Sequence, residues 1–213
     1  MNKKTKLAVS SVTAGIAALG AAGAMLLGAL PGNASTTDAK TVAASNASAL
    51  QPSSLSFVAS RWDCTQGGSY FNAKNCHFGA MVPKGWKATK VGAHDAKFAV
   101  GTDFLRVADG PQQLTTAKAI ANKKAALKGT RDLKVLGVVN TTATTGGKSY
   151  STIVYTYTDA AKTTRWVATR FLDPSGYNGR SAAIELTVGG PVQDKTALTN
   201  VLARATTSAY QAG

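Results

Sequence analysis

The sequence predicts an α+β fold, an antiparallel sheet flanked by helices in an α/β/α sandwich. Three observations lead there. Several short runs alternate apolar and polar residues with period two, as half-buried strands do. Two longer segments, one central and one at the end, repeat apolar residues at helical spacing. The last four extended runs are joined by links too short for a crossover, which implies an antiparallel meander on which both amphipathic helices can pack.

The elements follow in chain order. His77 to Val82 reads as a strand stopped by Pro83-Lys84-Gly85, since proline brings no N–H to the ladder and glycine accepts a positive φ. Trp86, just beyond, is expected to fold back and close one end of the core. Lys97 to Val100 and Asp103 to Val107 are short strands joined by Gly101-Thr102. Thr115 to Lys128 is rich in Ala and Lys, free of Gly and Pro, and followed by Gly129. It reads as a helix with Ile120 and Leu127 on a narrow buried stripe. Four strands come next: Lys134 to Asn140, Ser149 to Thr158, Thr164 to Leu172 and Ala182 to Val188. Turn clusters at Gly146-Gly147, Asp159 to Lys162 and Pro174 to Gly176 separate them. Asp194 to Tyr210 is the closing helix, with Leu198, Val201, Leu202, Ala205 and Ala209 on one face.

Ahead of these elements the chain changes character twice. Residues 1–34 have the three-part layout of a secretory signal peptide. Lys3, Lys4 and Lys6 precede an uncharged stretch from Leu7 to Leu30, and Gly32 and Ala34 take the −3 and −1 positions for cleavage between Ala34 and Ser35. An uncleaved anchor stays open, because the apolar stretch exceeds the roughly 20 residues that span a bilayer, although its glycines and alanines make it weakly hydrophobic. Either way the remainder is extracytoplasmic, secreted or membrane-tethered. Residues 35–60 are rich in Ser, Thr and Ala, with Asp38 and Lys40 as the only charges, and read as a disordered linker. Residues 61–213 hold all three tryptophans and all six tyrosines and form one domain. At about 150 residues such a domain buries roughly 68–70% of its unfolded surface, enough for its own core.

Phe78-Gly79-Ala80-Met81-Val82-Pro83-Lys84-Gly85-Trp86 runs a strand into a Val-Pro-x-Gly-Trp turn. With Phe104-Leu105-Arg106-Val107, the Tyr-rich strand, Arg165-Trp166 and the terminal helix, this pattern resembles the PsbP/LpqN-like family. The resemblance takes in extrinsic photosystem II proteins, a nuclear Ran-binding protein, mycobacterial lipoproteins and modules that high-GC Gram-positive bacteria secrete or append to membrane kinases. It spans about Cys76 to Gln211. It implies a non-catalytic accessory or binding module, since the family has no shared active site to carry over. The Cys64 to Cys76 segment departs from that pattern.

Little in the sequence points to chemistry. Cys64 and Cys76 form an even pair in an exported chain and read as a disulfide closing a short loop. A zinc site from Cys64, Cys76, His77 and His94 is disfavoured, because adjacent Cys76 and His77 point apart on a strand and no C-x-x-C exists. His77 and His94 are the only histidines, and neither has an evident carboxylate relay in sequence. Gly147-Lys148-Ser149 lacks the first glycine of a phosphate-binding loop and opens a strand, so it reads as a hairpin turn. Glu185, the only glutamate, faces away from Ile184 and Leu186 and is expected to pair with Arg165 or Arg170. No catalytic, cofactor-binding or metal-binding residue is assigned.

The charge is the remaining signal. The chain carries 24 Lys+Arg against 10 Asp+Glu, a formal net charge of +14. Removing three lysines with the signal leaves 21 − 10 = +11. Lys84, Lys87 and Lys90, with Lys123, Lys124 and Lys128, are candidate contacts to polyanions, against the plainer reading of a solvated face. Export disfavours nucleic acid. The expected function is a non-catalytic module acting on an envelope protein, an anionic wall polymer or a lipid surface. The alternative is an exported hydrolase with a site not legible in sequence, which a cleft gathering Asp103, Asp109 or Asp173 with His94 would favour.

Overall fold

The computed structural model describes residues 49–64, 70–73, 75–141, 147–175 and 179–211. Ala34 and Ser35, the signal segment and the linker up to residue 48 lie outside these, as do Gly146 and Gly176. Ten strands and two α-helices are described: β1 Phe57–Cys64, β2 Cys76–Pro83, β3 Lys87–Gly92, β4 Asp95–Val100, β5 Asp103–Asp109, α1 Thr116–Ala126, β6 Lys134–Thr141, β7 Ser149–Thr158, β8 Thr164–Asp173, β9 Ile184–Pro191, α2 Lys195–Ser208 and β10 Tyr210–Gln211.

Seven strands make one antiparallel sheet in the order β3-β4-β5-β9-β8-β7-β6, so the expected meander of the last four long strands is its right-hand half. A three-stranded sheet, β1-β2-β10, stands apart from it. α1 packs on β7 and β8, while α2 packs on β9, β2 and β8. The fold is therefore α+β, with helices on both faces of the large sheet, and the small sheet shares the layer of α2.

Cross-strand pairs share a face, which sorts the residues. Leu105, Leu186, Trp166, Ala168 and Leu172 turn to the inner face and meet Trp62, Phe78, Leu198 and Val201 in the main core. Ile153, Tyr155, Val167 and Phe171 turn to the outer face and meet Ala119 and Ile120 of α1 in a smaller core. Each fully buried aliphatic or phenyl side chain of this size contributes about 1.5–3 kcal/mol. The α2 stripe falls where its period places it: Leu198, Val201 and Ala205 are completely buried. On α1, Ile120 is buried and Leu127, now the C-cap, is half-buried. Gly85 adopts φ +82° and Trp86 packs partly buried against the main core, as expected of that turn.

The boundary of the linker needs correction. Residues 49–60 belong to the folded unit: Pro52–Ser54 is a 3₁₀ turn, β1 starts at Phe57, and Ser60 is buried beside Trp62. Leu50 N–H donates to Asp194 Oδ1 at 2.5 Å. β1 buries only Ser60 and Trp62 of its eight residues, so it shows no apolar alternation, and backbone pairing to β2 holds it instead. β3 was hidden for a like reason: Lys-Ala-Thr-Lys-Val-Gly is an edge strand with five of six residues exposed.

Candidate functional site

Cys64 and Cys76 are directly paired across β1 and β2 and are disulfide-bonded, S–S 2.05 Å. The bond ties β1, which carries Asp63, to β2, which carries His77. Asp63, next to Cys64, has φ +55°, a left-handed conformation that Asp tolerates better than most residues. Its Oδ2 lies 2.6 Å from His94 Nδ1. His94 sits in the turn between β3 and β4, and Tyr70 Oη pins that turn, accepting the Asp95 N–H and sharing its one proton between the carbonyls of Gly92 and Asp95. The His77 and His94 rings lie 6.1 Å apart between centroids. Gln211 of β10 donates from Nε2 to Asp109 Oδ1 at 3.2 Å and approaches His77 Nε2 at 3.4 Å. Burial pushes the Asp109 carboxyl up, against the opposing pull of His94 and His77.

The carboxylate beside His94 was not evident in sequence. Asp63 is 31 residues from His94 in sequence, so only β1 and the β3–β4 turn meeting in space reveal the pair. Among the described residues the arrangement stops short of a hydrolytic triad. Among the described residues no hydroxyl is hydrogen-bonded to His94, and an acyl-transfer site needs a nucleophile within reach of its base. No group of three or more described His, Cys, Asp or Glu side chains is arranged to hold a metal.

The six candidate lysines do not form one cluster. Lys87 pairs through Ala99 and Phe104 to Gly189, which places it on the outer face. Lys97 lies on that face too, its Nζ 5.0 Å from the centre of the Phe104 ring. Lys124 and Lys128 are exposed on and just after α1, over the same side of the sheet. Lys84 is exposed in the β2–β3 turn. Lys90 points the other way, with Nζ 4.5 Å from the centre of the Tyr70 ring. Lys123 is not free: its Nζ donates to Glu185 Oε1 at 2.8 Å. Glu185 thus pairs with Lys123, with Arg106 at 3.9 Å, and not with the expected arginines. Arg170 stands opposite Leu186 on the inner face. Arg165 is at the far end of β8, opposite Pro191, near Asp159 and bonded to Thr102 O.

Arg170 instead belongs to a groove between α2 and the β6–β7 edge. Its Nε donates to Thr152 Oγ1 at 2.9 Å and its Nη1 to Thr206 Oγ1 at 2.7 Å, while the guanidinium lies 3.9 Å from the centre of the Tyr150 ring. A hollow of about 180 Å³ opens there, lined by Val139, Tyr150, Val154, Trp166, Arg170 and Leu202 among others. A second, of about 220 Å³, adjoins it at Tyr150 and includes Lys148, Thr206 and Thr207. Lys148 is held by the end of α2, donating to the carbonyls of Thr206, Thr207 and Ala209, the orphan acceptors of a helix terminus. Burial lowers the pKa of both cations, Arg170 and Lys148. Residue parity held a signal for Arg170: it shares its strand face with Trp166, Ala168 and Leu172, all buried.

No family model matches the sequence, and no curated protein does. Solved structures with a similar chain course include the Ran-binding protein Mog1p of Saccharomyces cerevisiae, at 10% identity and TM-score 0.49, over 74% of this chain and 96% of that one. A point mutant of Mog1 gives 11% identity and TM-score 0.47, over 74% and 95%. The cyanobacterial PsbP of Synechocystis gives 14% identity and TM-score 0.42, over 64% and 87%. What the chain itself displays is an α+β fold with an antiparallel sheet between helices.

Proposed function

We propose that this protein is an extracytoplasmic, non-catalytic binding module that holds anionic envelope polymers through its lysine-bearing outer face. The observation that supports the reading is how the charges are committed. Among the described residues, Asp95, Asp159 and Glu185 each face a cationic partner within the fold, and Asp132 is paired with its neighbour Arg131 at the surface. Lys84, Lys87, Lys124 and Lys128 make no ion pair there and stand in solvent. The basic surplus is therefore carried outward. α1 covers only the β7–β8 side of the outer face, so Lys87 and Lys97 flank an open floor beside the helix lysines. Lysine is a strongly hydrated point charge suited to loose, additive attraction. The disulfide agrees with an oxidising compartment.

The test is retention of the full chain on a polyanion column. Retention at low salt should fade as ionic strength rises, because exposed charges are screened within about 8 Å at 0.15 M. Changing Lys84, Lys87, Lys124 and Lys128 together to Gln should flatten the salt dependence and leave the melting temperature nearly unchanged. Lys123 is left out of the set because it is already paired with Glu185. Absence of retention at low salt would end the proposal. Turnover of an ester, peptide or glycan panel that vanishes on His94→Ala would replace it with the hydrolase reading.

A further inference from the structure

The inner-face groove carries an observation independent of the lysine surface. Arg170 is a half-buried guanidinium whose partners, Thr152, Thr206 and the Tyr150 ring, are all neutral. A guanidinium has five N–H donors, and two of these find acceptors among the described residues. Lys148 adds a second cation at the rim of the adjoining hollow, again with neutral partners only. A cation taken from water and given no counter-charge costs free energy unless something supplies the charge.

Among the described residues no side chain supplies that charge. The chain has ten acidic side chains, of which Asp38 alone lies outside the described residues. No carboxylate among the other nine lies within ion-pair distance of Arg170 or Lys148. The β6–β7 connection, residues 142–146, contains no acid.

Trp166 supplies the second observation. It is 3% exposed, lines the same hollow, and its Nε1–H has no acceptor among the described residues. Buried indole N–H groups usually find a partner. The remaining wall is mainly apolar, Val139, Val154, Ala168 and Leu202, with Thr141 and Thr199 beside them. Val139 is 56% exposed, so the apolar lining runs out to edge strand β6.

We propose that this groove binds a small amphipathic carboxylate. The oxyanion sits against the free donors of Arg170, within the field of Lys148, and the apolar body lies along Trp166, Val154, Val139 and Leu202. Arginine's planar fork matches a carboxylate, and its neighbours already fix its orientation through Thr152, Thr206 and Tyr150. Two adjoining hollows of this size fit a head and a short chain, not an extended polymer.

Octanoate is the probe, titrated into the full chain and followed by the indole N–H resonances in a two-dimensional nitrogen–proton spectrum. The three tryptophans give three such signals, and Trp166→Phe identifies one of them. Octanoate should move that signal. Acetate and inorganic phosphate, the head alone, should bind at least 10-fold more weakly, and so should octanol, the tail alone. Arg170→Met should weaken octanoate at least 10-fold. If Arg170→Met does not fold, Val139→Glu serves, because it changes an exposed edge position and sets a repelling carboxylate at the mouth. It should abolish octanoate binding while the wild-type melting temperature is kept. Phosphate or acetate binding as tightly as octanoate would overturn the amphiphile and leave a bare oxyanion site. An unmoved Trp166 signal at millimolar octanoate, or binding indifferent to both substitutions, would overturn the proposal. Loss of polyanion retention has no bearing on this result, since none of the lysines in that set lines the groove.

Discussion

Asp103→Asn is expected to stabilise the protein at neutral pH and to do nothing at pH 4. Asp103 and Asp194 are 8% and 4% exposed and face each other beside β9. Asp194 Oδ1 already accepts the Leu50 N–H, and Asp103 Oδ1 is buried without a partner. Burial, and next the Asp194 charge, push the Asp103 carboxyl from 3.8 up to about 6, with Arg165 pulling the other way. The sign follows from proton counts. Between pH 4 and 6 the native state holds a proton that the unfolded chain has released, so stability falls as pH rises through that window and stays lower above it. A rise of this size corresponds to ~3 kcal/mol at one tenfold step per 1.36 kcal/mol. The pair borders an open hollow of about 260 Å³, and Asn also gives up the attraction to Arg165, so solvent screening and that loss bring the expected gain to ~1–2 kcal/mol. Asn has the shape of the protonated acid and donates an N–H to Asp194 without carrying charge. For a domain of this size the gain reads as a rise in melting temperature of roughly 2–8 °C at pH 7.5, shrinking to nothing at pH 4. Calorimetric melts of both proteins across pH 4–8 measure it. A substitution that shifts stability equally at both ends, or destabilises at pH 7.5, would refute the assignment.

Two further outcomes follow from the packing and the crosslink. Gly110→Ala places a Cβ 1.9 Å from the Ala182 carbonyl oxygen, a backbone atom that cannot step aside, so a loss of ~3 kcal/mol is expected. An unchanged urea midpoint would mean that the β5 exit is looser than its Gly110 N–H bond to Ala183 O implies. Reducing the Cys64–Cys76 bond, with a sequence separation of 12, should cost about 3 kcal/mol in the chain-entropy account. Thiol titration of the unfolded, unreduced protein should find no reactive sulfur, and two reactive sulfurs would sink the pairing.

Most of the fold was legible because its long strands and α2 bury residues at a clean period. Ile153, Tyr155, Ile184, Leu186, Leu198 and Val201 each fall where period two or 3.6 places them. β1, β3 and β10 were not legible. β1 and β3 bury few apolar side chains, and β10 is only two residues long, held to β2 by backbone pairing, with the Tyr210 ring packed over Gly79. The disulfide was legible from the cysteine count and from the export expected of residues 1–34. The partners of charged residues were not. His94 with Asp63, Lys123 with Glu185 and Leu50 with Asp194 are separated by 31, 62 and 144 positions, and a strand's face says nothing of its neighbour's register.

The same division runs through the candidate sites. The amino-acid sequence by itself determined the alternation that sets each long strand's buried face, the α2 stripe, the surplus of cations over acids and the scarcity of catalytic groups. It also determined that Arg170 shares a face with Trp166 and Leu172, since parity along a strand is a local property. Only the tertiary structure decided which cations are spent and which are left over. Lys123 is neutralised by β9 and Lys90 lies over Tyr70, while Arg170 is left in an apolar groove with hydroxyls for company. The reason is physical: charge pairing depends on distances set by sheet order and helix placement, and those are fixed by the burial of the whole chain.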